Sequence, residues 1–216
     1  MSNHELHTLY CLCWSRIVRD IREQYPLLPI EETLALAEEC GIKHPMHPTT
    51  KEPVVLTTDF LITVEREGRR VEEARTVKEV SALQSHRTLE KLEIERRYWE
   101  ARHIQWGIIT EREIPLVVAK NVDLLYEAYF LPAHTSLSSE ELNNIIHTLT
   151  RLVSETQQAL RHATSACDRK LGFEPGTSLQ VAYYLLATRQ WQIDMFTPID
   201  PSKPLVLLGT TLGKAH

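Results

Sequence analysis

The stretch Val54-Val55-Leu56-Thr57-Thr58-Asp59-Phe60-Leu61-Ile62-Thr63-Val64, then Glu65-Arg66-Glu67-Gly68 and the run from Val71 to Lys78, decides how the chain is read. Two runs rich in β-branched residues, joined by a charged turn containing glycine, predict a β-hairpin. Asp59 lies inside the first run and Lys78 ends the second. With Glu5 on an earlier helix, this is an order in which a metal-dependent phosphodiesterase places its groups. Carboxylate oxygens hold Mg²⁺ beside the scissile phosphate, and a cation orients the attacking water or offsets developing charge. Spacing alone leaves open the plainer reading of a buried strand acid next to a surface lysine.

Around the hairpin, 216 residues give room for a proper core in one or two domains. With 43% hydrophobic and 25% charged residues, the composition is that of a globular protein. No apolar run approaches the roughly 20 residues that span a bilayer. Met1-Ser2-Asn3-His4-Glu5 offers no basic segment leading into an apolar one, so a cytoplasmic protein with no membrane partner is expected. Cys11, Cys13, Cys40 and Cys167 show no CxxC spacing, which argues against a zinc ribbon or a disulfide scaffold and predicts buried, reduced thiols. His44 and His47 lack the further ligands zinc needs and read as loop packing or DNA contact. There is no Gly-rich phosphate loop, no GxSxG and no Cys/His nucleophile pattern. The net charge of −5 is unusual for a free-standing DNA binder, because phosphate neutralisation supplies most non-specific affinity.

Helical spacing of Leu6, Leu9, Tyr10, Cys13 and Ile17 predicts an opening helix from near Glu5. Val18 to Glu23 reads as a short strand. Pro29 to Ala37 reads as a helix with acids in its first turn, stopped by Gly41. After the hairpin, Thr88 is the expected N-cap of a third helix. Its acids Glu90, Glu93 and Glu95 are placed to pair with Arg87, Lys91, Arg96 and Arg97 on a solvated face. Ile104 to Thr110 is a strand, and this α/β unit ends near Pro115. Beyond it, Leu116–Leu131, Ser139–Ala163 and Thr177–Thr188 are predicted helical. Trp191–Phe196 and Leu205–Leu208 are predicted to form a small terminal hairpin. The expected domains are therefore residues 1–115 and 116–216, the second a mostly helical winged-helix module.

Taken together, Ser2-Asn3-His4-Glu5 with Trp14, Val18-Arg19-Asp20-Ile21-Arg22-Glu23-Gln24-Tyr25-Pro26, Gly41-Ile42-Lys43-His44-Pro45, Thr57-Thr58-Asp59-Phe60-Leu61 and Arg87-Thr88-Leu89-Glu90-Lys91-Leu92-Glu93-Ile94-Glu95-Arg96-Arg97-Tyr98-Trp99 form an ordered series through the first domain. In that series the chain resembles the TnsA family, the endonuclease subunit of TnsABC-type cut-and-paste transposases. In the second domain only Asn121 to Tyr126 looks familiar.

The resemblance implies a restriction-endonuclease-like N-terminal domain followed by a winged helix. It also implies a catalytic set of helix glutamate, strand aspartate and Gln-x-Lys, which falls on Glu5, Asp59 and Lys78. Metal contact by Glu5, Asp59 and the Val77 carbonyl is implied, with Mg²⁺ as cofactor and Mn²⁺ able to substitute. Thr76 stands at the glutamine position and is a poorer ligand, so that contact passes to water. Thr58 stands where a proline is usual. Arg87 and Lys91 are candidate DNA contacts. Family members usually carry a further basic N-terminal stretch; here the chain begins almost at Glu5, which places that acid on a helix end and points to a partner that brings the DNA. The implied activity is cutting the 5′ ends of the element, the non-transferred strands. The implied partners are transposon-end DNA, a DDE-type transposase (TnsB) and an AAA+ ATPase regulator (TnsC) docked on residues from Leu116 onward. Two alternatives stand beside this: a non-catalytic assembly subunit bridging transposase and ATPase, and a stand-alone nuclease of restriction or repair type.

Overall fold

In the computed structural model, which describes residues 1–211, the hairpin forms from β2 (Thr57–Arg66) and β3 (Arg69–Val77). Glu67 and Gly68 both take left-handed φ angles, 53° and 75°, which matches the two-residue turn that the right-handed strand twist favours. β1 (Val18–Pro26) adds to β2 antiparallel, and β4 (Gln105–Ile109) adds to β3 in parallel. A parallel neighbour needs a crossover, supplied here by α3 (His86–Glu100), and the resulting sheet order is β1-β2-β3-β4.

Strand alternation divides the core between the two faces of the sheet. Phe60, Ile62, Val64 and Val77 are packed by Leu9 and Leu12 of α1 (Asn3–Trp14). Leu61 and Ala74 face the other way, onto Tyr98 and Trp99 of α3 and Leu36 of α2 (Ile30–Glu39). Fully burying one such side chain contributes about 1.5–3 kcal/mol, so the two clusters fix which face each helix covers.

Several expected boundaries move. α1 starts at Asn3 because Ser2 caps it, accepting the Glu5 N–H while the Glu5 carboxylate returns to the Ser2 N–H. α3 is capped by Ser85 and not by Thr88; the Ser85 hydroxyl accepts the Thr88 N–H at 3.3 Å. β1 runs on through Tyr25 to Pro26, which is tolerated because β1 is an edge strand. Among the cysteines Cys167 is buried, Cys11 and Cys40 are half-buried and Cys13 is exposed, against the expectation that all are buried.

The chain divides into two compact units, Met1–Pro115 and a second from Leu116 on. The second unit contains α4 (Leu116–Tyr126), a 3₁₀ turn (Glu127–Phe130), α5 (Leu131–His134), α6 (Ser139–Glu155), α7 (Leu160–Leu171) and α8 (Thr177–Ala187). The predicted continuous helix Ser139–Ala163 is two helices. Thr156 ends the first with extended backbone, and Ala159 bridges to Pro204 before the second begins. The terminal ladder is shorter than expected: β5 is Trp191–Gln192, and its partner β6 is Gly209–Thr210, just past Leu205–Leu208. Asn121, buried in α4, holds this end: its amide donates to the Met195 and Thr197 carbonyls and its oxygen accepts the Ile199 N–H. Among the described residues no helix is long and apolar enough to cross a membrane.

Candidate active site

The β2–β3 ladder runs from Arg66↔Arg69 down to Phe60↔Arg75 and stops there. β3 continues beside β4 as far as Val77↔Ile109, so β2 and β3 part at Asp59. Parting leaves the Val77 N–H without a ladder acceptor, and the Asp59 carboxylate takes that place: Oδ2 accepts the Val77 N–H at 2.7 Å. The same oxygen accepts from Lys78 Nζ at 3.1 Å, and Oδ1 accepts from Gln24 Nε2 at 3.3 Å. Asp59 is only 7% exposed, and these donors offset the cost of burying it. Gln24 reaches it from β1 with a left-handed φ of 48°, its own oxygen held by the Thr57 hydroxyl.

Lys78 Nζ also donates to the Val77 carbonyl, at 2.8 Å. One half-buried ammonium therefore draws together a carboxylate oxygen and a carbonyl oxygen. Two hard oxygens aimed at one cation position match the chemistry of Mg²⁺ or Mn²⁺, which are held by one or two carboxylates with water and substrate oxygens filling the shell. The donor set fits such an ion. Among the described residues there is no group of three or more His, Cys, Asp or Glu that could hold a metal.

The structure thus brings Asp59, Val77 and Lys78 into direct hydrogen-bonded contact. The Glu5 carboxylate is engaged with Ser2, accepting from its N–H at 3.3 Å and its hydroxyl at 3.0 Å. The first turn of α1 does lie beside the segment that follows Lys78, where His4 approaches Glu79 at 3.5 Å. Arg87 donates to the Lys43 carbonyl and to Glu90, and Lys91 is exposed one helical turn further on.

The residue that sequence reading misplaced is Glu95. Expected on the solvated face of α3, it is 6% exposed and points inward. Its Oε1 accepts from the Thr58 hydroxyl at 2.7 Å, from Trp106 Nε1 at 3.0 Å and from the Thr76 hydroxyl. Trp99 Nε1 donates in turn to Thr58 at 2.6 Å. Thr58 and Thr76 flank Asp59 and Val77, so the two departures from the family pattern share one buried carboxylate. Burial pushes the Glu95 carboxyl up, the bonds from Thr76, Thr58 and Trp106 oppose this, and the nearby Asp59 charge adds to it. The signal was present in the sequence: Leu92, Glu95 and Trp99 follow helical spacing, which places an acid on the apolar stripe. On the outer face Arg96, and then Arg97, hold Glu93 down at about 2.

Residues 15–111 match the model of the TnsA-like endonuclease N terminal domain, and residues 113–195 match that of the TnsA endonuclease C terminal domain. Asp59, Val77, Lys78 and Glu95 fall inside the first match; Glu5 precedes it. The chain is 45% identical over 126 residues to the Transposon Tn7 transposition protein TnsA of Escherichia coli. That alignment takes in 58% of this chain and 45% of the relative, so less than half of the relative's length is represented. With family models matched in sequence through both of its compact units, the chain belongs to the TnsA endonuclease family.

Proposed function

We propose that this chain is the nuclease subunit of a cut-and-paste transposase, a metal-dependent DNA endonuclease that cuts the 5′ ends of the element. The observation that carries the reading is the fork in the sheet, where Asp59 and the Val77 carbonyl share the Lys78 ammonium. Asp59 and the Val77 carbonyl, joined by Glu5 on release from its cap, are the oxygens that would hold one or two Mg²⁺ ions, with Mn²⁺ able to substitute. When bound, such an ion polarises the scissile phosphate and makes water a better nucleophile. Lys78 orients the water or offsets charge gathering on the phosphate oxygens. Gln24 and the Val77 N–H fix the Asp59 carboxylate, and Glu95 fixes the two threonines beside it. Water attacks phosphorus and the P–O3′ bond breaks, leaving 5′-phosphate and 3′-hydroxyl. Cutting the non-transferred strands separates element from donor, while a DDE-type transposase acts at the 3′ ends.

The second unit is read as a winged-helix module that docks an AAA+ ATPase regulator. Helices α6 to α8 followed by the small β5–β6 ladder support the first part of that reading. An exposed aromatic cluster of Tyr126, Tyr129 and Phe130 supports the second. The whole is expected to act in the bacterial cytoplasm.

The test is strand-specific cutting of a labelled transposon end with Mg²⁺ and the partner transposase, comparing wild type with Asp59→Ala. Loss of the 5′-end cut with 3′ cutting retained supports the assignment. Identical products from both proteins would make Asp59 structural and leave an assembly subunit as the reading, in keeping with a Glu5 engaged by its own helix cap.

A further inference from the structure

Apart from the strand fork, the first unit carries a second concentration of functional groups that the proposed chemistry does not use. An open basin of about 770 Å³ lies between the segment after α2 and the first turn of α3, and Lys43, His47, Lys51, Arg87 and Glu90 line it. Three fixed cations against one acid give this patch a positive balance on a chain whose net charge is −5. Glu90 is already matched to Arg87 at 2.7 Å.

The basin is built and not merely composed of surface side chains. His44, 6% exposed, wedges the segment against α2 through its contact with Thr33 at 3.0 Å. Arg87 Nη1 binds the Lys43 carbonyl at 2.6 Å, which ties α3 to the same segment. The loop closes on itself through the Met46–Pro53 bridge and the bonds His47 N–H to Glu52 O and Val54 N–H to Pro45 O. His47 Nδ1 faces the Thr49 and Thr50 N–H groups as an acceptor, at 3.4 and 3.2 Å, so its other ring nitrogen carries the proton. Arg87 bonds through Nη1, and its side chain is exposed at the edge of the basin. Lys51 holds a left-handed φ of 60°, a conformation that favours glycine. Such residues cluster at functional positions.

We propose that this basin binds the phosphodiester backbone of duplex DNA, an inference that rests on the nuclease reading of the neighbouring fork. The cations are spread around a space far larger than a single phosphate, whose volume compares with the roughly 30 Å³ of one water only by a small multiple, so an extended polyanion fits better than a small ion. Position agrees. The loop leads directly into β2, and Lys51 precedes Asp59 by eight residues, a span of at most about 29 Å. Basin and fork therefore lie within about one helical turn of a single duplex, roughly 34 Å. The basin supplies register on the backbone, without sequence information.

The experiment measures binding of a labelled duplex of unrelated sequence across a salt series, without divalent metal, so its outcome does not depend on whether Asp59 cuts. A double variant, Lys43→Gln with Lys51→Gly, is expected to lower the slope of log affinity against log salt by about 1.8, two phosphate contacts at about 0.9 each. Glycine suits the left-handed position, so Lys51→Gly alone is expected to keep or raise the melting temperature while lowering the slope by about 0.9. A folding defect would move both quantities downward together. Arg70→Gln, at the turn end of the hairpin, removes one positive charge and is expected to leave the slope unchanged. An unchanged slope in the double variant, or no wild-type binding even at low salt, would overturn the basin while leaving the strand-cutting test of Asp59 to stand or fall separately.

Discussion

At the turn end of the β2–β3 hairpin the charged residues are many and mostly in water; at its open end they are few and mostly buried. Arg66, Arg69 and Arg70 are exposed, and Glu65 is shared by Arg19 at 2.9 Å and Arg70 at 3.7 Å. Pairs of that kind contribute about 0–1 kcal/mol, because water serves either partner nearly as well. At the open end Asp59 and Glu95 are 7% and 6% exposed, and Asp59 accepts from Gln24, Val77 and Lys78. Removing one partner of a buried charge costs about 3–5 kcal/mol, since the other is left uncompensated. The difference between the ends is ladder continuity. Where the strands stay paired their backbone needs nothing further. Where they part, a freed N–H and a freed carbonyl recruit a carboxylate and an ammonium. Density of charge therefore says little about chemistry here; convergence of a few buried groups on one position says more.

The largest effect expected from this contrast comes from Asp59. Asp59→Asn keeps an oxygen to accept the Val77 N–H but removes the charge, so the fork keeps its shape and loses its cation affinity. Cutting is expected to fall by roughly 10³-fold, the several kcal/mol a metal-assisted step supplies, with a smaller loss of melting temperature than Asp59→Ala. Asp59→Ala is expected to lose cutting and stability together. An asparagine variant that cuts at the wild-type rate would show that the open end is no more chemical than the turn.

Next in size is Glu95, which tests whether burial at the open end serves position. Glu95→Ala leaves the hydroxyls of Thr58 and Thr76 and the Trp106 N–H without their acceptor, and is expected to cost about 2–4 kcal/mol in chemical denaturation. Glu95→Gln retains the accepting oxygen and is expected to fold normally. Glu95 also predicts a pH signature. Because the folded protein holds the Glu95 carboxyl above its ordinary 4.5, this group's contribution is fully present below 4.5 and is lost as pH rises through the raised value. Wild type should therefore lose stability relative to Glu95→Gln as pH rises from 4.5, and parallel curves would show that Glu95 is ionised and solvated like an ordinary surface acid.

Much of this could be read before the structure. The β-branched runs Val54–Val64 and Val71–Lys78 and the Glu65–Gly68 turn are local signals, and a hairpin formed there, with β2 shifted to Thr57–Arg66, β3 at Arg69–Val77 and the turn tightened to Glu67-Gly68. Asp59 and Lys78 stood out because a charged group inside or just after a β-branched run is rare enough to notice. What could not be read is the fork. Whether β2 and β3 part at Asp59 depends on β4 and α3 arriving from about thirty residues downstream, and no local pattern carries that. Glu95 was missed for a related reason: α3 contains so many i,i+3 and i,i+4 pairs that its one inward acid looks like the rest. Ser85 took the cap from Thr88 because Val80–Gln84 forms a 3₁₀ turn that brings the chain round three residues earlier.

The smallest effects belong at the turn, and they test whether the two ends are independent. A Cβ at Gly68 would meet nothing within 4 Å, so Gly68→Ala carries only the cost of holding an L-residue at a φ of 75°, about 1–2 kcal/mol. That loss should appear in denaturant unfolding and leave strand cutting at the wild-type rate. Arg70→Gln removes one exposed partner of Glu65 and should change stability by no more than about 0.5 kcal/mol. The seven paired positions from Phe60 to Arg66 separate the turn from Asp59, and a continuous antiparallel ladder fixes register along its whole length. A strained turn is therefore expected to be absorbed within the first pair or two. Should Gly68→Ala slow cutting while the protein stays folded, the ladder would be transmitting a register change to the fork, and the turn would have to be counted as part of what positions Asp59.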